Sequence, residues 1–275
     1  MAVDVEIKQK TFFKLNMNKI ISLSGLSYGI LDEAFRIIEN EIGENTMLYD
    51  SKNVERGFEL SMKGTDILLR LAVPTGSKDI QLFYNFINQI CKKVNATSFI
   101  RNGEEVVLED ISKFIKIDEE GSINAIQHII NDMKANDFEV YYIFGARNPI
   151  AMNSDDVKNI GTSIEKFDEF LLSHQMKDVY YAAPKIYNIN NKIVGMYAIG
   201  PDIPSVIPFK PSIIGNNDIN VEKWFIFIEK NIGIEYSNFI NNVDTSNKYD
   251  FNHTIVNVSK SKIQELVSKF GETIQ

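Results

Sequence analysis

The chain has 275 residues, 44% of them hydrophobic and 24% charged, the composition of an ordinary globular protein long enough for one large domain or two subdomains. Lys and Arg number 29 against 37 Asp and Glu, a net charge of -8, and the five arginines (Arg36, Arg56, Arg70, Arg101, Arg147) are scattered, which argues against a nucleic-acid partner. A single cysteine, Cys91, excludes an intrachain disulfide and a cysteine-built zinc site.

The first twenty residues mix charged and apolar positions without an apolar h-region, and no later run approaches the ~18 uninterrupted apolar residues of a membrane span. A reducing, cytoplasmic setting is expected, with no membrane partner. Abundant Ile, Lys and Asn beside few Arg reads as an AT-rich, bacterial coding sequence. Residues 1–118 carry net charge -2 and residues 119–275 net -6, so electrostatic steering favours a protein partner with a basic surface meeting the second half.

In chain order, VEIK, FFKLN and IISL between residues 5 and 23 read as one or two strands. Ile30, Leu31, Ala34, Phe35, Ile38 and Ile42 recur at three and four and predict a helix between Leu26 and Gly43. Period-two alternation from Arg56 to Val73, broken at Gly64, predicts a hairpin. Ser77 then caps a helix with Ile80, Phe83, Tyr84, Ile87, Ile90, Cys91 and Val94 inward, which makes Cys91 a buried structural thiol. Residues 104–121 read as a short strand and a short helix ended by Gly121. Ser122 caps a further helix facing inward with Ile126, Ile129, Ile130 and Met133.

Phe138 to Phe144 reads as a central strand, and Ser154 starts a helix that Gly161 weakens. Asp178 to Tyr187 and Lys192 to Ile199 form a second hairpin across asparagines that tolerate the left-handed conformation. Pro201, Pro204, Pro208 and Pro211 exclude a helix over 201–211 and predict an extended surface segment, either an ordered connection between sheets or a docking surface or lid. The apolar run within 222–243 fits helix or strand. A strand near Thr254 to Val258 precedes a final helix capped by Ser259 and stopped by Gly271.

One catalytic template matches. Gly25-Leu26-Ser27-Tyr28-Gly29 is G-x-S-x-G, with a strand-like stretch before it and an expected helix after it, the context of a nucleophile elbow. The elbow arrives after only about twenty residues, where the α/β-hydrolase fold has already laid down several strands. A serine at a helix start is otherwise an N-cap, which is the expected role of Ser27. If Ser27 were a nucleophile, His253 would be its base and Asp250 the orienting carboxylate. His128 and His174 stand alone. No metal site and no cofactor cradle is predicted, since no HExxH, CxxC, G-x-G-x-x-G or P-loop motif occurs.

The segments FFKLN, LSYGILDEAF, ERGFEL and LAVPTGSKDIQLFYNFINQIC together resemble an uncharacterised family of bacterial cytosolic proteins, a domain of unknown function, over residues 11–95. The resemblance implies a similar length and setting and carries no functional residue.

The predicted fold class is α+β, antiparallel hairpins packed by helices, in two subdomains, 1–118 and 119–275, the second carrying the proline-rich 201–211. Each half reads as helix, hairpin and later helices, a faint sign of duplication without residue identity behind it. The expected function is a non-catalytic protein-binding module of adaptor or immunity type. The alternative is a serine hydrolase using Ser27.

Overall fold

The computed structural model describes residues 1–10, 14–136, 139–214, 219–229 and 231–274. The chain divides into two units, Met1–Met176 and Lys177–Gln275, rather than at residue 119, which falls inside a helix. Both units combine helices with antiparallel or mixed sheets, so the fold is α+β.

The first unit opens with β1 (Ala2–Ile7) and α1 (Met17–Ser24). The Asn16 side chain accepts from Lys19 N to start α1, and Gly25, at φ 64°, ends it. The Ile20 to Leu23 stretch is therefore helix, not the expected strand. Phe12 and Phe13 of the expected FFKLN strand lie outside the described residues.

Next come β2 (Ser27–Leu31), β3 (Ile37–Glu39) and β4 (Thr46–Tyr49), where a helix was expected. Asp32 is the physical reason. Its Oδ1 accepts from Ala34 N and Arg36 N at 2.9 Å each, and its Oδ2 accepts from the Arg36 guanidinium at 2.7 Å. The chain turns back, pairing Ile30 with Ile38 and Leu31 with Ile37, so the helix-like spacing of the apolar residues comes from two strands facing one another.

The hairpin β5 (Phe58–Lys63) and β6 (Asp66–Ala72) and the helix α2 (Ser77–Lys93) follow as the sequence predicts. The cap position of α2 is Gly76, however, and Ser77 is its first helical residue. After β7 (Ser98–Arg101) and β8 (Glu104–Val107), α3 (Ile111–Asn136) runs unbroken through Gly121 and Ser122, where two helices were expected. Ser122 caps nothing in α3; its buried hydroxyl accepts from Thr75 N at 3.1 Å. Among the described residues β9 (Tyr141–Phe144) pairs only with β10 (Pro149–Met152), so it is not central, and Phe138 of that expected strand lies outside the described residues. The expected single helix after Ser154 is two, α4 (Ser154–Ile160), opened by a capping box of Asn153 and Asp156, and α5 (Ile164–Gln175), capped by Ser163.

Eight strands form one antiparallel sheet in the order β3-β2-β4-β5-β6-β1-β7-β8. Its inner face, with Val3, Val5, Ile7, Leu48, Phe58, Leu60, Ile67, Leu69, Leu71 and Phe99, packs on α1, α2 and the first half of α3. The far half of α3 builds a second core with β9, β10, α4 and α5 around Ile126, Ile143, Met152 and Phe167.

The second unit contains β11 (Tyr180–Tyr181), β12 (Pro184–Ile189), β13 (Lys192–Ala198), β14 (Ser205–Pro208), β15 (Lys223–Glu229), β16 (Ile232–Glu235), α6 (Tyr236–Ile240), β17 (His253–Val256), α7 (Lys260–Phe270) and β18 (Gly271–Thr273). One sheet has the order β12-β13-β15-β16-β18 and the other β11-β14-β17. The β12–β13 hairpin turns at Asn190 and Asn191, at φ 52° and 64°, as their chemistry predicts. The proline-rich segment is extended but not on the surface throughout: β14 is the central strand of its sheet and all four of its residues are buried. The run within 222–243 resolves into two strands and a short helix. Ser259 caps α7 as expected, and Gly271 begins β18. The strand orders of the two units differ, so no duplication is visible in the topology.

Candidate functional site

Ser27 is the first residue of β2, half-buried and opposite Tyr49 in the β2–β4 register. A helix precedes it and a strand follows it, the reverse of the order in a nucleophile elbow. The glycine before it is the left-handed stop of α1. Nor is Ser27 the expected helix cap, because no helix begins there. It lies in the first unit, whereas Asp250 and His253 lie in the second.

The structure does bring Asp250 and His253 together. Asp250 Oδ1 accepts from the backbone amides of Asn252 at 2.9 Å and His253 at 2.8 Å, folding the residues before β17 into a turn. This turn sets His253 Nδ1 at 2.8 Å from Oδ1 and 3.1 Å from Oδ2. His253 Nε2 meets the Tyr181 hydroxyl of β11 at 3.0 Å. All three residues are buried, and Tyr249 packs edge-on against Tyr181 at 6.0 Å. The acid, imidazole and hydroxyl are ordered as in a catalytic triad. With both ring nitrogens engaged inside the protein, the arrangement joins the ends of a three-stranded sheet.

A second buried polar group, not foreseen from the sequence, surrounds the start of α2. Asp79 Oδ2 accepts from Arg56 N and Gly57 N at 2.7 Å each and from Thr75 Oγ1 at 3.1 Å. Asp168, from α5, accepts from Ser77 N at 2.7 Å and Ser77 Oγ at 2.5 Å. Glu55 Oε2 accepts from Asp79 N at 3.2 Å, while Glu55 Oε1 is buried with no hydrogen-bond partner among the described residues. Arg56 donates from Nε to Phe144 O at 2.9 Å and from its guanidinium to Pro74 O. Desolvation lowers the Arg56 pKa and raises those of Glu55, Asp79 and Asp168. The one legible signal was Asp79 in the first turn of a helix. Glu55 and Asp168 reach it from 24 and 89 residues away in sequence, a proximity that no local pattern encodes.

The outer face of the large sheet is different in kind. Across β5, β6, β1, β7 and β8 the strand registers set two rows of outward side chains. One row runs Glu59, Arg70, Asp4; the other runs Ser61, Leu68, Glu6, Ile100, Glu105. All eight are exposed or half-exposed, and Arg70 pairs with Asp4 at 3.2 Å. Most of them line a shallow groove of about 510 Å³. Four of the eight are carboxylates, answered by Arg70 beside Asp4 and by Lys8, whose Nζ lies 3.6 Å from Glu6 Oε1, with Leu68 and Ile100 flanking Glu6. Toward β2 and β4 the same face is closed by Met47, Tyr49, Val54 and Ala146.

A family model described as Domain of unknown function (DUF4299) matches residues 2–266. The chain belongs to that family. The DUF4299 match takes in the sheet face, the carboxylates at the start of α2 and the His253 turn; it ends within α7. No curated protein and no solved structure matches the chain. Among the described residues, no cluster of His, Cys, Asp or Glu could hold a metal ion, and no helix is long and apolar enough to cross a membrane.

Proposed function

We propose that this DUF4299 chain is a non-catalytic protein-binding module of the bacterial cytoplasm, and that it binds a partner of basic surface through the outer face of its eight-stranded sheet. The observation carrying this reading is the pair of side-chain rows on that face. A sheet face open over five strands, with two aliphatic side chains set among four carboxylates that Arg70 and Lys8 balance only in part, suits an opposing surface that offers Lys or Arg around an apolar contact.

Residues 177–275 contain ten basic and ten acidic residues, so the net charge of -8 belongs to residues 1–176, with -2 of it on residues 1–118, which build the sheet. Ion pairs such as Arg70–Asp4, more than half exposed on both sides, contribute at most about 1 kcal/mol to folding and can be given up to a partner at little cost.

The test is a photo-crosslinking residue at Ile100 of the full chain, expressed in a bacterial cytoplasm, alone and combined with Glu6→Lys and Glu59→Lys. One dominant adduct with a basic protein, lost on charge reversal, is expected. Absence of any adduct, or an adduct indifferent to the reversal, overturns the proposal.

A further inference from the structure

Three carboxyl groups meet at the start of α2, and the groups balancing them are few. From the loop between β4 and β5 come Glu55 and Arg56; from α2 come Lys78 and Asp79; from α5 come Glu165 and Asp168. Lys78 and Glu165 lie at the exposed rim, which leaves the half-buried Arg56 as the inner cation. Its guanidinium is spent on the carbonyls of Phe144 and Pro74.

The three acids are unequally served. Asp79 accepts three hydrogen bonds and Asp168 two, one of the latter from Ser77 N at the positive end of α2. Glu55 accepts one, at 3.2 Å, and its other oxygen has none among the described residues. Glu55 and Asp168 also crowd the same glycine: a Cβ on Gly76 would run into Glu55 Oε2 and stand 2.6 Å from Asp168 Oδ1. The missing side chain at Gly76 is what lets both acids approach the helix start.

We infer that Glu55 is held as a neutral carboxylic acid at neutral pH, and that its ionisation is a proton-controlled release of the latch joining the β4–β5 loop, the start of α2 and α5. Protonation turns one of three crowded acceptors into a donor and removes a charge that the site has no means to solvate. Ionisation puts a third negative charge among Asp79 and Asp168, and separation of the segments that carry them relieves it.

The direction of the pH dependence follows. Burial, then the charges of Asp79 and Asp168, raise the Glu55 carboxyl from 4.5 to about 9. A group whose folded-state pKa lies above its unfolded value contributes fully below the unfolded value and loses that contribution as pH rises through the folded one. The stability supplied by the Glu55 proton is therefore complete near pH 4.5 and gone above about pH 9.

Denaturant unfolding of the full chain from pH 5 to 9 tests this alongside Glu55→Gln, which keeps the shape and cannot ionise. The wild type should lose stability with rising pH. Glu55→Gln should lose distinctly less and overtake it on the alkaline side. Infrared spectroscopy of the wild type at pH 7 should show the carbonyl stretch of a protonated carboxylic acid, absent from Glu55→Gln and shifted in its titration to lower pH by Asp168→Asn. Should Glu55→Gln fail to fold, the wild-type band and its shift in Asp168→Asn decide the matter. A wild type without that band, or a Glu55→Gln protein with the wild-type pH dependence, overturns the inference.

Discussion

His253 holds Asp250 across three residues of one turn, Nδ1 to Oδ1 at 2.8 Å, with both side chains almost fully removed from solvent. A ring protonated on Nδ1 leaves Nε2 to accept the Tyr181 hydroxyl proton. The turn before β17 is thereby fixed to β11 with no direct pairing between the two strands.

Tyr181→Phe removes the hydroxyl and should cost about 1 kcal/mol. His253→Leu removes a side-chain donor from the buried Asp250 carboxylate and should cost about 3 kcal/mol. Denaturant titration measures both, and the larger loss should belong to the histidine variant.

Ser27 starts a strand, so a fluorophosphonate probe should leave the folded protein unlabelled. Ser27→Ala should alter stability by about 0.5 kcal/mol or less. Labelling that disappears in Ser27→Ala would return the hydrolase reading to consideration.

A buried ion pair joins three elements of the first unit. Asp118 on α3 accepts from the Tyr84 hydroxyl on α2 at 2.6 Å and from the Arg101 guanidinium at the end of β7, and Arg101 Nε reaches the Tyr84 oxygen at 2.9 Å. Asp118→Ala leaves Arg101 largely buried without its carboxylate and should cost about 3–5 kcal/mol. A loss near zero in thermal or denaturant unfolding would mean that the arginine finds water instead.

Cys91 lies fully inside the apolar face of α2, where burial pushes its thiol up to about 12. Iodoacetamide at pH 8 should leave it unmodified in the native protein and alkylate it in denaturant, as mass spectrometry would report.

Elements with an uninterrupted period were legible in the sequence. The β5–β6 hairpin and α2 each bury one face against one core, so burial repeats at the period of the backbone. The β2–β3 hairpin was misread because Asp32 reverses the chain inside a run whose apolar spacing imitates a helix. Gly121 and Ser122 misled in the opposite sense. Gly121 has open space around it, and Ser122 bonds Thr75 rather than its own helix, so α3 passes through both.

The site divided in the same way. Asp250 and His253 are three residues apart and could be paired on paper, whereas their hydroxyl neighbour turned out to be Tyr181, on a strand 72 residues earlier. The sheet face was invisible because it exists only once β1 is set between β6 and β7.

That placement of β1 has a consequence during synthesis on the ribosome. Its two lateral neighbours are residues 67–72 and 100–101, so β1 is translated well before anything it can pair with. At about 5–20 residues per second, roughly 60 residues take about 3–12 s, with β1 awaiting β6 for that time. Until β1 is inserted, β6 and β7 have no common neighbour and the nascent chain carries open strand edges. Alternation of Asp4 and Glu6 with Val3, Val5 and Ile7 puts charge on every second position of the waiting segment, which opposes its pairing with another nascent copy.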